Sequence, residues 1–243
     1  MPKMPFPNNF RFYKVDGVQM PSVTTILGEF GEENESFKKF ARENAEFLQF
    51  KANIGTVVHN RIAKYFIDNY KLKGKEIKGE PMKIDFEITD DMEIEIGSAM
   101  SYFDDFIKKY KVEPIEIEKQ IWHRKMKYAG TADFLGYVNN ILAVVDWKTS
   151  SSIYPDYPSQ VTAYKQAILS EPDFKSEIKM CALVMVNARK GLTVGRVVDE
   201  SKAWDGFLKP FNKFQAIYRL PYEQINIDEV RICQNTTGEK SSE

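Results

Sequence analysis

Residues 130–164 read GTADFLGYVNNILAVVDWKTSSSIYPDYPSQVTAY, and they restrict the possible folds more than any other part of the chain. Two runs rich in β-branched and aromatic residues flank Asn139-Asn140, the pattern of two strands joined by a tight hairpin. With those asparagines as the whole loop, Val138 faces Ile141, and counting outward sets Asp133 opposite Asp146. Facing residues of an antiparallel pair have Cβ atoms roughly 4.5–5.5 Å apart. Lys148 follows Asp146 by two positions and projects from the same face. Two like charges opposed across a ladder destabilise a sheet. A divalent cation between them removes that cost, and hard oxygen ligands beside an ammonium group suit Mg²⁺ or Mn²⁺ at a phosphate. Alternatively, both aspartates are solvated on an open face and Lys148 pairs with one. Leu135, Leu142 and Val144 share the face. Acids among apolar residues need partners, which favours the cation.

The surroundings of this hairpin predict an α/β fold with a mixed sheet. Residues 114–122 alternate as a strand, and His123 to Lys127 (HRKMK) form a basic turn leading into the hairpin. Arg124, Lys125 and Lys127 there suit phosphate contacts, although basic turns are common on ordinary surfaces. After Lys148 the chain enters a loop that starts with Thr149 and Ser150. Pro158 suits the first turn of a helix over residues 159–170, which would carry Gln160 and Tyr164 on one face. Residues 179–187 (KMCALVMVN) read as a buried strand, completing a βαβ crossover. A further strand over 192–198 and a closing helix over 201–219 follow.

Upstream, residues 11–20 form a small hairpin about Asp16-Gly17. Ser22 caps a short helix whose Thr24 and Thr25 either donate to a phosphate or simply start the helix. Residues 29–50 are helical and polar, with a stripe of Phe37, Phe40, Ala41, Phe47 and Leu48 that favours a core role over base stacking. A second helix spans 53–70, with His59 on its apolar side, where a histidine is ordinarily a packed core residue. Residues 71–91 form a charged connection with one short strand at 82–88, and its lysines at 71, 73, 75 and 78 are solvated by default. Residues 92–110 make an amphipathic helix, and 234–243 (QNTTGEKSSE) a flexible tail.

The chain has 243 residues, 43% of them hydrophobic, enough for one domain with a sizeable core. Its net charge of −1 lacks a strongly basic nucleic-acid footprint, so a polyanion must be held by a local patch or by metal. Two cysteines, Cys181 and Cys233, make neither a disulfide framework nor a metal-ligand spacing, which fits a reduced, intracellular setting. No run of about 18 apolar residues exists to span a membrane. The opening MPKMPFPNNF lacks the pattern of a targeting segment, so a cytoplasmic location is expected.

An aspartate on a hairpin, then Asp146-Trp147-Lys148, then Gln160 and Tyr164 on a helix resembles the PD-(D/E)XK nuclease superfamily, in particular its RecB-like exonuclease branch. The upstream Gly55-Thr56-Val57-Val58-His59 is similar to that branch's histidine motif. The early hairpin with Pro21-Ser22-Val23-Thr24 resembles the mitochondrial genome maintenance exonuclease group and its phage relatives. Ala132 stands where the superfamily's name has proline.

The resemblance implies a restriction-endonuclease-like fold: a mixed central sheet flanked by helices, with a helical N-terminal part. One nuclease domain would span residues 1–233, with a helical wall or arch at about 29–110 and a catalytic core at about 112–220. The implied activity is metal-dependent exonucleolytic hydrolysis of DNA, favouring single strands or free ends, in a bacterial or phage-encoded protein. Asp133 and Asp146, with the Trp147 carbonyl, would ligate Mg²⁺ or Mn²⁺, and His59 would complete or tune the shell. Glu118 is a secondary candidate, acting through water. Lys148 would orient or deprotonate the attacking water, and Gln160 and Tyr164 would position the strand or buttress Lys148. Ser22, Thr24, Arg124, Lys125, Lys127, Thr149 and Ser150 would contact DNA. With two cysteines, the four-cysteine iron–sulfur cluster of some relatives is excluded. A site-specific or structure-specific endonuclease, a non-cleaving recombination accessory and a small-phosphate phosphatase are the competing readings.

Overall fold

A computed structural model describes residues 10–31, 35–71, 79 and 81–218. The lysines at 73, 75 and 78, Cys233 and the expected tail lie outside the described residues. The chain opens with a hairpin, β1 (Phe12–Val15) and β2 (Val18–Pro21), turning on Asp16 and Gly17, both at positive φ. Ser22 ends the hairpin and caps α1 (Val23–Phe30), its hydroxyl accepting the Thr25 N–H at 2.9 Å.

Two helices follow, α2 (Glu35–Glu43) and α3 (Ala45–Lys71). The sequence suggested a break near residue 51; the structure breaks at Asn44 instead. There the side-chain amide and backbone N–H of Asn44 both donate to the Phe40 carbonyl at 2.9 Å, closing α2. No proline interrupts residues 45–71, so α3 runs through in one piece. The strand expected at 82–88 is also absent: the segment is irregular. Its Ile84, Phe86 and Ile88 alternate as strand residues would, but they pack against the core without joining a sheet. Helix α4 (Asp90–Lys109) is capped by Thr89, with Asp90, Asp91 and Glu93 in its first turn and Lys108 and Lys109 in its last, charges that complement its dipole.

The central sheet has five strands: β3 (Val112–Trp122), β4 (Ala129–Val138), β5 (Ile141–Lys148), β6 (Met180–Asn187) and β7 (Gly191–Arg196), in that spatial order. β5 and β6 are parallel and the other neighbours antiparallel, so the sheet is mixed. Helix α5 (Asp156–Leu169) makes the β5–β6 crossover, and α6 (Glu200–Tyr218) closes the chain. Pro158 lies in the first turn of α5, where no intrahelical N–H is required. This α/β arrangement is consistent with a restriction-endonuclease-like fold. Among the described residues no helix is long and apolar enough to cross a membrane.

Each face of the sheet carries its own core. Helices α1, α5 and α6 cover Leu135, Leu142, Val144 and Leu183 on one side. Helices α3 and α4 cover Phe134, Ala143, Val145, Trp147 and Val184 on the other. The Trp147 ring is ringed by Phe66, Phe103, Phe106 and Phe134, with centroids 5.5–6.3 Å away. Burying such a side chain contributes roughly 1.5–3 kcal/mol. Because β5 alternates, anchoring Trp147 on this side commits Asp146 and Lys148 to the other.

Candidate active site

The Asn139-Asn140 turn holds both residues at positive φ (49° and 63°), as a two-residue hairpin with the right twist requires. Val138 pairs with Ile141 and Phe134 with Val145, so Asp133 and Asp146 follow next along the ladder. Both are buried, at 7% and 1% exposure. Asp133 accepts the Trp147 N–H at 2.8 Å and faces His59 Nδ1 of α3 at 3.4 Å.

Glu118 joins them. Its neighbours pair normally, Ile117 with Phe134 and Lys119 with Ala132, but Glu118 itself sits at φ 48° within the strand. A non-glycine residue held there costs of order 1–3 kcal/mol, and such strain clusters at functional sites. Donor atoms of His59, Glu118 and Asp133 all lie within 4.8 Å of one another. The residue read from sequence as secondary therefore stands within this donor group.

Asp146 adjoins this group and is engaged with Lys148, whose Nζ lies 2.7 Å from Oδ2. Gln160 of α5 ties the pair together: its amide nitrogen donates to Asp146 Oδ1 at 3.1 Å, and its oxygen accepts from Lys148 at 3.1 Å. The same amide donates to the Tyr164 hydroxyl at 2.9 Å. Tyr164 is buried, so it braces Gln160 from beneath. Tyr157, which the sequence reading missed, lies beside Lys148, with its ring centroid 4.5 Å from Nζ. Its spacing of three from Gln160 on one helix was the available signal.

The electrostatics follow from crowding acids at a buried point. Burial, then the charge of Asp133, pushes Glu118 up to about 8. Burial likewise raises Asp146 to about 6, with Lys148 opposing and Asp133 reinforcing. Burial alone would lower His59, but the charge and hydrogen bond of Asp133 outweigh it, and its pKa is raised to about 9. Asp133 is held below the ordinary carboxylate range despite burial, through His59, Lys148 and the Trp147 N–H. Lys148 is raised despite its burial, by Asp146 and Asp133. Asp146 Oδ2 is buried, and its partner is the Lys148 ammonium. One imidazole and converging buried carboxylates fit a hard divalent cation.

A cleft of about 520 Å³ opens over His59 and Lys148. Thr149 and Ser150 line it, as does Asn187, whose amide fixes the Thr149 carbonyl at 2.6 Å. Phe40 and Phe47 line it too and are 43% and 50% exposed, so the core role expected for them does not hold. Ser22 is buried, with its hydroxyl bonded to Thr24 and Thr25. Arg124, Lys125 and Lys127 sit in the β3–β4 turn; none lines the cleft, and Arg124 lies over the Trp122 ring at 5.9 Å.

No family model matches the chain. A segment of it is 31% identical over 81 residues to mitochondrial genome maintenance exonuclease 1 of Mus musculus, covering 31% of this chain and 24% of the relative. The counterpart from Xenopus tropicalis is 30% identical over 81 residues, covering 31% and 23%. The match thus spans about a quarter of the length of these curated relatives.

Proposed function

We propose that this chain is a metal-dependent deoxyribonuclease of the PD-(D/E)XK type, acting as an exonuclease that favours single-stranded or free-ended DNA. The observation that carries this reading is the buried Asp146–Lys148 pair set against the His59–Glu118–Asp133 group at the edge of an open cleft. The partial likeness to genome maintenance exonucleases supports a nuclease.

His59, Glu118, Asp133, Asp146 and the Trp147 carbonyl would hold Mg²⁺ or Mn²⁺. Such an ion lowers the pKa of a bound water and offsets phosphate charge when bound. Lys148, with its raised pKa, is a fixed ammonium that stabilises charge growing on the phosphate and orients the nucleophile. Gln160 fixes both charged groups, and Tyr164 fixes Gln160. Phe40 and Phe47 offer faces on which unpaired bases stack, Thr149 and Ser150 offer hydroxyls to the backbone, and α2 and α3 form the wall for a strand.

One gel tests the reading. End-labelled single-stranded, duplex and closed circular DNA are incubated with EDTA, Mg²⁺ or Mn²⁺, with wild type beside Asp146→Asn. Metal-dependent shortening of linear strands, lost in the variant, is expected. Cutting of closed circles would instead identify an endonuclease, and intact DNA in every lane would refute nuclease activity.

A further inference from the structure

The N-terminal hairpin has no task in the reading above, yet it docks on the strand that carries Asp133. Ser22 bridges to Ala129 of β4, and the Tyr13 hydroxyl meets the Thr131 hydroxyl at 3.0 Å. Thr131 lies two residues before Asp133 and shares its face. Arg11 precedes Tyr13 by the same step, and its guanidinium carbon lies 5.0 Å from the Tyr13 ring centroid. The Arg11 side chain is exposed and has no carboxylate ion pair among the described residues.

The backbone beneath it is clamped. Arg11 donates its N–H to Thr25 Oγ1 at 3.0 Å, and its carbonyl accepts from Ser22 N at 3.0 Å and Thr25 Oγ1 at 3.3 Å. The residues at the start of α1 thus hold Arg11 in place.

We propose that Arg11, carried on Tyr13, is a phosphate-binding subsite for the nucleic-acid strand, on the β3–β4 flank of the site and across from the cleft on the β5–β6 flank. This rests on the nuclease reading. A guanidinium fork matches phosphate oxygens in pairs, and stacking on a ring with an anchored backbone leaves less freedom to lose on binding. The scissile bond then lies between two grips, one aromatic and one cationic.

The test uses the full chain and a fluorescein-labelled single-stranded oligodeoxynucleotide. Binding is followed by anisotropy in EDTA across a salt series, and cleavage in Mg²⁺ or Mn²⁺ gives kcat and KM. Lys14→Ala is the control: it removes one charge from the opposite face of the same hairpin. Arg11→Ala is expected to weaken binding on the order of 10-fold and to reduce the log–log salt slope by about 0.7, the value for one single-strand phosphate contact. KM should rise with kcat kept, and Arg11→Lys should keep the slope but recover only part of the affinity. Equal slopes and KM values for Arg11→Ala and Lys14→Ala would overturn the subsite while leaving the activity standing. Absence of cleavage by wild type would overturn the activity, and the salt slopes would still decide the subsite.

Discussion

Lys148 Nζ lies 4.5 Å from the centre of the Tyr157 ring, while the Tyr157 hydroxyl is held by Ser150 Oγ at 3.1 Å. The ring covers one side of the ammonium, and Asp146 and Gln160 take two of its protons' directions. A cation on an aromatic face gains about 0.5–2 kcal/mol, more as water is excluded. Tyr157→Phe keeps the face and is expected to retain activity within about twofold. Tyr157→Leu removes it, and kcat should fall roughly 10-fold with KM little changed. A pH–rate profile of both variants checks this, and equal kcat values for the two would rule out the ring's role.

Removing the ammonium is more severe. Lys148→Ala should cut turnover on the order of 100-fold or more, the usual scale for losing a positioned electrostatic group. Oligonucleotide binding in EDTA should stay near wild type. Because Asp146 then stays buried without its partner, circular dichroism must confirm the fold before rates are compared. Near-normal turnover by a folded variant would contradict the assigned role.

Gly130 is required by a close approach rather than by its backbone angles. A Cβ there would lie 2.7 Å from Cε1 of the buried Tyr164 ring. Gly130→Ala therefore displaces Tyr164 and loosens its bond to Gln160. The expected cost is about 1–3 kcal/mol in stability, the range for overpacking a core, with a parallel loss of kcat. Urea unfolding measures the first, and an unchanged midpoint would show that the site absorbs the methyl group.

His123 supplies a pH dependence remote from the reaction. It is buried, its Nδ1 accepts the Met126 N–H at 3.2 Å, and burial with nearby Lys125 lowers its pKa to about 4. Its ordinary value is about 6.5. Between those values the unfolded chain binds a proton and the folded one does not, so stability rises with pH. The contribution is complete above about 6.5 and is lost as pH falls towards 4, on the order of 3 kcal/mol in all. Denaturation midpoints of wild type and His123→Gln from pH 7 to 4.5 should converge on acidification. Parallel curves would mean that His123 is protonated alike in both states.

Part of this was legible from residue order alone. Asn139-Asn140 fixed the hairpin register, and with it the adjacency of Asp133, Asp146 and Lys148, because a two-residue turn leaves no other count. Gln160 and Tyr164 were readable by helical spacing. Glu118 was readable only as a secondary candidate: a strand period places it by alternation, and nothing in the sequence announces a left-handed residue there. The exposed Phe40 and Phe47 were misread because an aromatic at helical spacing does not say whether its neighbour is core or cleft. The alternating residues 82–88 looked like a strand because alternation reports one buried side, whether or not hydrogen-bonding partners exist.

The irregularity of β3 reaches beyond chemistry. β3 is the border strand of the sheet, and its outer row of amides and carbonyls is the natural template for another chain. The register shift between Pro114 and Glu116 and the kink at Glu118 interrupt that row twice. A bend that aims a carboxylate inward also spoils the rim for edge-to-edge association, so straightening β3 to relieve its strain would trade solubility for order.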